Sequence, residues 1–214
     1  GKTRQRETVN YRKQFADGKR TVMFYLRPAN IRDTGFLIWD YADVAVEDKQ
    51  WIYLPALGKV RRVSAADRGD YFFGTDFTFE DMKLDGKLGT EDYEFTLLGR
   101  TTLEGVDYYQ LQSLPRSEAI AEELGYSKVV SLVHPDNWII MRSEFWDTEG
   151  RPLKTLQVAD VRQIDGIWTR HQLSMRNHQS GHQTQFRFSA VDYSTPIDDG
   201  MFSKRALARG VRGE

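Results

Sequence analysis

The sequence predicts a mainly β fold: an antiparallel ribbon of about ten strands that curls into a barrel or half-barrel, with a few short helices plugging its concave side. Three observations predict it. Turn dipeptides recur between extended stretches, at Asp17-Gly18, Asp85-Gly86, Glu104-Gly105, Glu149-Gly150, Asp165-Gly166 and Ser180-Gly181. Glycine supplies the positive φ that tight hairpins need, and Asp tolerates the same region. Several stretches between these turns alternate apolar and polar residues with the period of a half-buried strand. Helical signals are few and short, and a sheet of that many strands curls or splits rather than staying open.

In chain order, Val22, Phe24 and Leu26 share one face, while Met23 and Tyr25 make the other face apolar too. Phe36 and Ile38 against Leu37, Trp39 and Tyr41 repeat the pattern, so the strands of the N-terminal half are covered on both faces. The strands Gly35–Tyr41 and Lys49–Leu54 lead into a Pro-Ala-Leu-Gly turn and a short basic strand over 59–64. An aromatic segment follows, 71–73 and 77–79, punctuated by Gly74 and Asp76, where Thr75 or Asp76 caps one helical turn through Glu80 and Asp81. In 93–100, Tyr93, Phe95 and Leu97 oppose Glu94, Thr96 and Arg100 as a strand with one wet face. Ser117 caps a helix over Glu118–Leu124 that Gly125 stops. In 167–175, Ile167, Leu173 and Met175 lie opposite Trp168, Arg170, Gln172 and Ser174. In 182–190, Phe186, Phe188 and Ala190 oppose Gln183, Gln185, Arg187 and Ser189. Residues 198–208 close the chain as a short helix, acidic at its positive end and basic at the other.

At 214 residues the chain is expected to form one domain, 1–214, with room for a sizeable core. Lys+Arg 30 against Asp+Glu 31 argues against a nucleic-acid partner; the only local concentrations of basic charge are at 2–6 and at Arg61-Arg62. Cysteine is absent, which removes disulfides and thiolate metal sites. A run of about 18 apolar residues is lacking, so the chain is not expected to span a membrane by a helix. The chain opens at Gly1 in polar sequence without a signal peptide, consistent with removal of an upstream segment.

Candidate chemistry is thin. His171, His178 and His182 include two that flank a hairpin turn, but no third ligand is evident beside them, and the plainer reading is polar residues at the surface near a turn. Carboxylates gather at 40–48, 80–85, 91–94 and at Asp198 and Asp199, as solvated loops do; a glycosidase pair would need two of them across a bond. The patterns G-x-S-x-G, G-x-G-x-x-G and G-x-x-x-x-G-K are missing, so neither an esterase elbow nor a nucleotide cofactor has support. No enzyme, cofactor or metal is expected. Arg61 and Arg62 are neighbours on a strand, which would turn one inward to meet a carboxylate or an anionic headgroup, or leave both at the surface.

The aromatics around 34–82 exceed what one thin sheet needs, which favours an apolar cavity. Alternation selects Phe24, Leu26, Phe36, Ile38, Trp51, Tyr53, Phe95, Leu97, Phe186 and Phe188 as its candidate lining. For 51–54 the inward face stays open, since Ile52 and Leu54 compete with Trp51 and Tyr53.

The run DKQWIYLPALGKVRRVSAADRGDYFFGTDFTFEDM resembles the bacterial outer-membrane lipoprotein-sorting protein family, relatives of the periplasmic carrier LolA. The later run from SKVVSLVHPDNW to FRFSAVDY is similar to that family's C-terminal half, and W-x-Y-L-P-x-L-x-K-V-R-R at 51–62 carries the subgroup. The resemblance implies an unclosed antiparallel barrel with helices over its mouth, a hydrophobic cavity, and residence in the periplasm. It implies an RND-type exporter as a partner, and no individual binding residue. The expected function is a carrier or chaperone shielding lipid or lipoprotein acyl chains on the way to the outer membrane. The alternative is an adaptor for an RND-type exporter without a bound lipid.

Overall fold

The fold is taken from a computed structural model that describes residues 3–43, 45–84 and 88–211. It is mainly β, antiparallel throughout and unclosed. Twelve strands are described, rather than about ten, in a five-stranded and a seven-stranded sheet, each a meander whose neighbours in sequence are neighbours in space. The chain clusters into two compact units, Gly1–Ser64 with Thr195–Glu214, and Ala65–Ser194.

In the first unit, β1 (Glu7–Phe15), β2 (Gly18–Arg27), β3 (Gly35–Tyr41), β4 (Lys49–Leu54) and β5 (Lys59–Val63) pair in that order. The pairings Phe24↔Gly35, Val22↔Leu37 and Leu37↔Trp51 put Val22, Phe24, Leu37 and Trp51 on one face. The C-terminal segment covers that face: Phe202, in a 3-10 turn over Asp199–Phe202, and Leu207, in α1 (Lys204–Arg209), complete the cluster. Trp39 Nε1 donates to the Phe202 carbonyl at 2.9 Å, and Trp39 meets Trp51 edge to face at 5.0 Å. The closing helix expected over 198–208 is therefore broken. Ser203 is extended (φ −117°, ψ 154°) and its side chain accepts from the Ala206 N–H, so a new helix starts there. Met23, Tyr25, Phe36 and Ile38 are buried on the opposite face, as strands apolar on both sides require. Arg61 and Arg62 are both exposed, and Arg62 pairs with Glu47 at 2.7 Å. Neither turns inward, because β5 is an edge strand with solvent within reach of long side chains.

The second unit holds β6 (Tyr93–Leu103), β7 (Val106–Pro115), β8 (Lys128–Val133), β9 (Ile140–Trp146), β10 (Pro152–Ile164), β11 (Ile167–Asn177) and β12 (Gln183–Arg187). Two helices accompany them, α2 (Phe79–Leu84) and α3 (Glu118–Leu124). Ser117 caps α3 and Gly125 ends it in the left-handed region, as its sequence requires. Glu104 with Gly105, and Asp165 with Gly166, all take positive φ, the geometry of two-residue hairpins. The Asp85-Gly86 dipeptide lies outside the described residues. The core is built from Phe145, Leu156, Val158, Leu173 and Met175 of the sheet, with Phe77, Tyr93, Leu124 and Tyr126 packed on them. The strand over 93–100 departs from the one-wet-face expectation: beyond Tyr93, both faces of β6 are largely exposed. It is an edge strand, and its register slips between Leu97 and Gly99.

Candidate functional site

Within the second unit, the aromatic segment over 71–84 forms a short strap across the apolar face of the seven-stranded sheet. Its own turn is closed by the Phe72 N–H donating to the Phe77 carbonyl at 2.8 Å and by a bridge between Tyr71 and Thr78. The helix α2 then starts at Thr78, not at Thr75 or Asp76. Thr78 Oγ1 accepts from the Asp81 N–H, and Asp81 Oδ2 accepts from the Thr78 N–H. That is a capping box with Asp in the acidic place, a role a sequence scan overlooks when Asp76 stands nearer the glycine. Phe77 reaches the sheet and packs on Phe186 at 4.8 Å, with Phe188 next along.

What fastens the strap is polar. Lys154, on β10 in phase with Leu156 and Val158, projects into the core where an apolar side chain would be expected. Its ammonium donates to Asp81 Oδ2 at 2.7 Å and to the Asp76 carbonyl at 2.9 Å. It also lies over the rings of Tyr126, Phe145 and Tyr71. Tyr126 donates its hydroxyl to the same Asp81 carboxylate. Burial pulls the Lys154 pKa down, and Asp81 opposes the pull. Burial also pushes the Tyr126 hydroxyl well up, with Asp81 adding to it, so Tyr126 stays a donor. A second fastening lies nearer solvent. His182 Nδ1 and Thr184 Oγ1 each hold Asp76 Oδ2 at 2.7 Å, and the Asp76 N–H donates back to Thr184. Asn177 donates to the Tyr71 hydroxyl at 2.9 Å.

The base of the strap is held by Arg68, whose guanidinium reaches Glu80 at 2.9 Å, Asp92 at 2.6 Å and Glu123 at 2.9 Å. Burial works against its charge, but Glu80 and then Asp92 outweigh it and drive its pKa upward. One arginine thus joins the strap helix, the 88–92 loop and α3. Chemically, these groups fasten: Lys154 and Arg68 are spent on carboxylates, and Asp76 on the His182 ring and the Thr184 hydroxyl. Among the described residues no group of His, Asp and Glu assembles a metal site. His171 is buried on β11, His178 bonds Thr155, and His182 serves Asp76.

A family model whose description reads "-like: Uncharacterized protein" matches residues 17–209. A search of curated proteins found no match. Among solved structures, a domain provisionally named as an outer membrane lipoprotein-sorting protein, from Vibrio parahaemolyticus, superposes with a TM-score of 0.85 at 29% identity, covering 95% of this chain and 84% of that one. A DUF1329 family protein from Desulfovibrio piger superposes equally well, TM-score 0.85, at 30% identity over 94% of this chain and 83% of that one. The chain belongs to the DUF1329 family. A LolA superfamily protein from Nitrosomonas europaea shares the fold, with a TM-score of 0.60 at 17% identity over 93% and 89% of the two chains. This DUF1329 chain is thus LolA-like in fold.

The candidate lining residues of this DUF1329 protein fall into five places. Phe24, Trp51 and Tyr53 lie on the five-stranded sheet's face beneath Phe202 and Leu207, which settles the facing of 51–54 in the first unit. Leu26, further along β2, borders an open cleft of about 570 Å³ with Arg6, Arg27 and Arg32. Phe36 and Ile38 occupy the reverse face of that sheet, since Phe36 pairs with Met23 and Ile38 with Thr21. Phe186 and Phe188 are half-buried under Phe77, whereas Phe95 and Leu97 stand exposed on β6. The ten residues do not line one face. Lys154 and Arg68 are residues that the sequence reading did not single out, and Asp76 and Asp81 entered it only as parts of a helical turn. The available signal was Lys154 itself, a charge in phase with the apolar positions of its strand.

Proposed function

We propose that this DUF1329 protein is a non-enzymatic periplasmic carrier that shields acyl chains of a lipid or lipoprotein during transfer towards the outer membrane. The single observation that carries the reading is the 71–84 strap: an aromatic cover laid over Phe186, Phe188 and the sheet core, fastened by ion pairs and hydrogen bonds and not by a long packed helix. Opening such a cover would break these discrete contacts and leave the hydrogen-bonded ladder of the sheet intact. Each methylene that then moves from water onto the uncovered face is worth about 0.8 kcal/mol. The lipoprotein-sorting description of the Vibrio relative supports the same reading. Both units of the chain, 1–214, act together in it, and the C-terminal segment over Phe24 and Trp51 is the corresponding cover of the first unit. No described helix is long and apolar enough to cross a membrane.

A second reading has an observation of its own. The faces bearing Phe24, Trp51, Phe186 and Phe188 are filled by the protein's own side chains, as an adaptor for an RND-type exporter without bound lipid would have them. One experiment separates the two. Delipidated protein is titrated with a fluorescent acyl phospholipid and with an acylated lipoprotein, alongside Phe186→Asp. The carrier reading expects saturable binding that Phe186→Asp weakens about tenfold or more. Indifference to both ligands in well-folded protein overturns it and leaves the adaptor.

A further inference from the structure

The antiparallel order of the seven-stranded sheet brings three connections to one end: the β6–β7 turn, the β8–β9 loop and the β10–β11 turn. Five large exposed apolar side chains of the unit stand on them. Trp138 in the middle loop is 70% exposed, and Leu103, Val106, Ile167 and Trp168 stand exposed on the flanking turns. Trp138 lies parallel to Tyr109, ring centroids 5.8 Å apart, and Arg100 covers the Tyr109 ring in turn. Trp138 also holds φ at +58°, a conformation that a bulky residue adopts at an energetic cost and that marks sites where side-chain placement matters. Folding alone gives no return on presenting an indole to water in this way.

Charge at the tips themselves is one-sided although the whole chain is balanced, with Arg100 and Arg162 standing on the strands behind them. The tips, 103–107, 134–139 and 163–168, carry Glu104, Asp107, Asp136 and Asp165 and no Lys or Arg. All four carboxylates are exposed. Among the described residues none of the four has an ion pair, and Asp107 alone has a side-chain partner, accepting from Thr102. Between the tips opens a cleft of about 310 Å³, lined by Tyr108, His134, Asp136, Met141, Val161 and Trp168. Aromatic faces beside a free carboxylate suit a guanidinium or ammonium group.

We propose that this rim is the docking surface for a protein partner that presents a basic side chain within an apolar patch, with the cleft receiving the basic group. Apolar contact at the centre and complementary charge around it is the usual anatomy of such an interface, and exposed Trp its usual anchor. An anionic lipid surface would be repelled by the same four carboxylates. The proposal does not depend on what cargo the protein carries, or on whether it carries one.

The test uses three synthetic peptides with the same Leu and Phe positions and with Arg, Gln or Glu at the polar ones, together with phosphatidylglycerol and phosphatidylcholine vesicles. Binding is followed on the intact protein and on Trp138→Gly, Asp136→Asn and, as a control at the far end of the sheet, Glu122→Gln. Glycine suits the positive φ, so Trp138→Gly is expected to keep or raise Tm. The Arg peptide is expected to bind, with affinity falling as salt rises, and to lose about tenfold or more in Trp138→Gly and in Asp136→Asn but not in Glu122→Gln. Equal binding of the Gln peptide overturns the proposal, as does equal binding by all variants or preferential binding to either vesicle.

Discussion

Gly18 shows how much one residue fixes. Its φ is +145°, and a Cβ there would sit 2.1 Å from the Asp40 carbonyl oxygen. Gly18→Ala is therefore expected to cost about 2–4 kcal/mol, measured by urea unfolding, because the obstruction is backbone and cannot swing aside. Lys154 is the second such position. Lys154→Met leaves Asp81 buried without its cation and is expected to cost about 3–5 kcal/mol. Pairing it with Asp81→Asn should cost less than the sum of the single changes, and a double-mutant cycle reads the coupling. Titration reports the same burial. Burial first, with neighbouring carboxylates adding for Tyr93 and Tyr126, raises the pKa of Tyr25, Tyr93 and Tyr126 above 10.0. The unfolded chain releases those protons from about pH 10 while the folded one keeps them, so stability falls as pH rises beyond that point. Each tyrosine contributes up to about 1.4 kcal/mol per pH unit. Lys154 works in the opposite sense between its lowered folded pKa and about 10.5, where the unfolded state holds the proton that the folded state releases. Absorbance of the tyrosinate should show these three ionising only with unfolding; ionisation near pH 10 in folded protein would contradict their burial.

At the scale of elements, what is local in sequence was legible and what depends on a distant partner was not. The Glu104-Gly105 and Asp165-Gly166 turns and the Ser117-capped helix follow from residues a few positions apart, and all three stand where their sequences place them. The end of the chain misled because Ser203 offers a better cap than continuity offers a helix. Asp81 and Lys154 meet across 73 positions, and no periodicity announces that an in-phase lysine has found its carboxylate. Apolar residues on both faces of β2 and β3 are plain in the sequence. Which of them share a face is decided by cross-strand register, and the pairing Phe24↔Gly35 and Met23↔Phe36 separates Phe24 from Phe36. Phe95 and Leu97 alternate like buried residues, but their strand lies at a sheet edge, a place only the topology assigns.

At the scale of the molecule, the meander read from the turns is the antiparallel architecture observed, and the family places it among LolA-like folds. The carrier reading rests on the strap over 71–84 being a cover that opens. These 214 residues include no cysteine, so a single engineered pair gives a clean lock. Asp76 and Thr184, already joined by two hydrogen bonds, would be replaced by cysteines, and acyl-lipid uptake by the delipidated protein measured before and after oxidation. Uptake that falls about tenfold when the disulfide closes, and returns on reduction, is the predicted result; equal uptake with the strap locked shut would contradict the account.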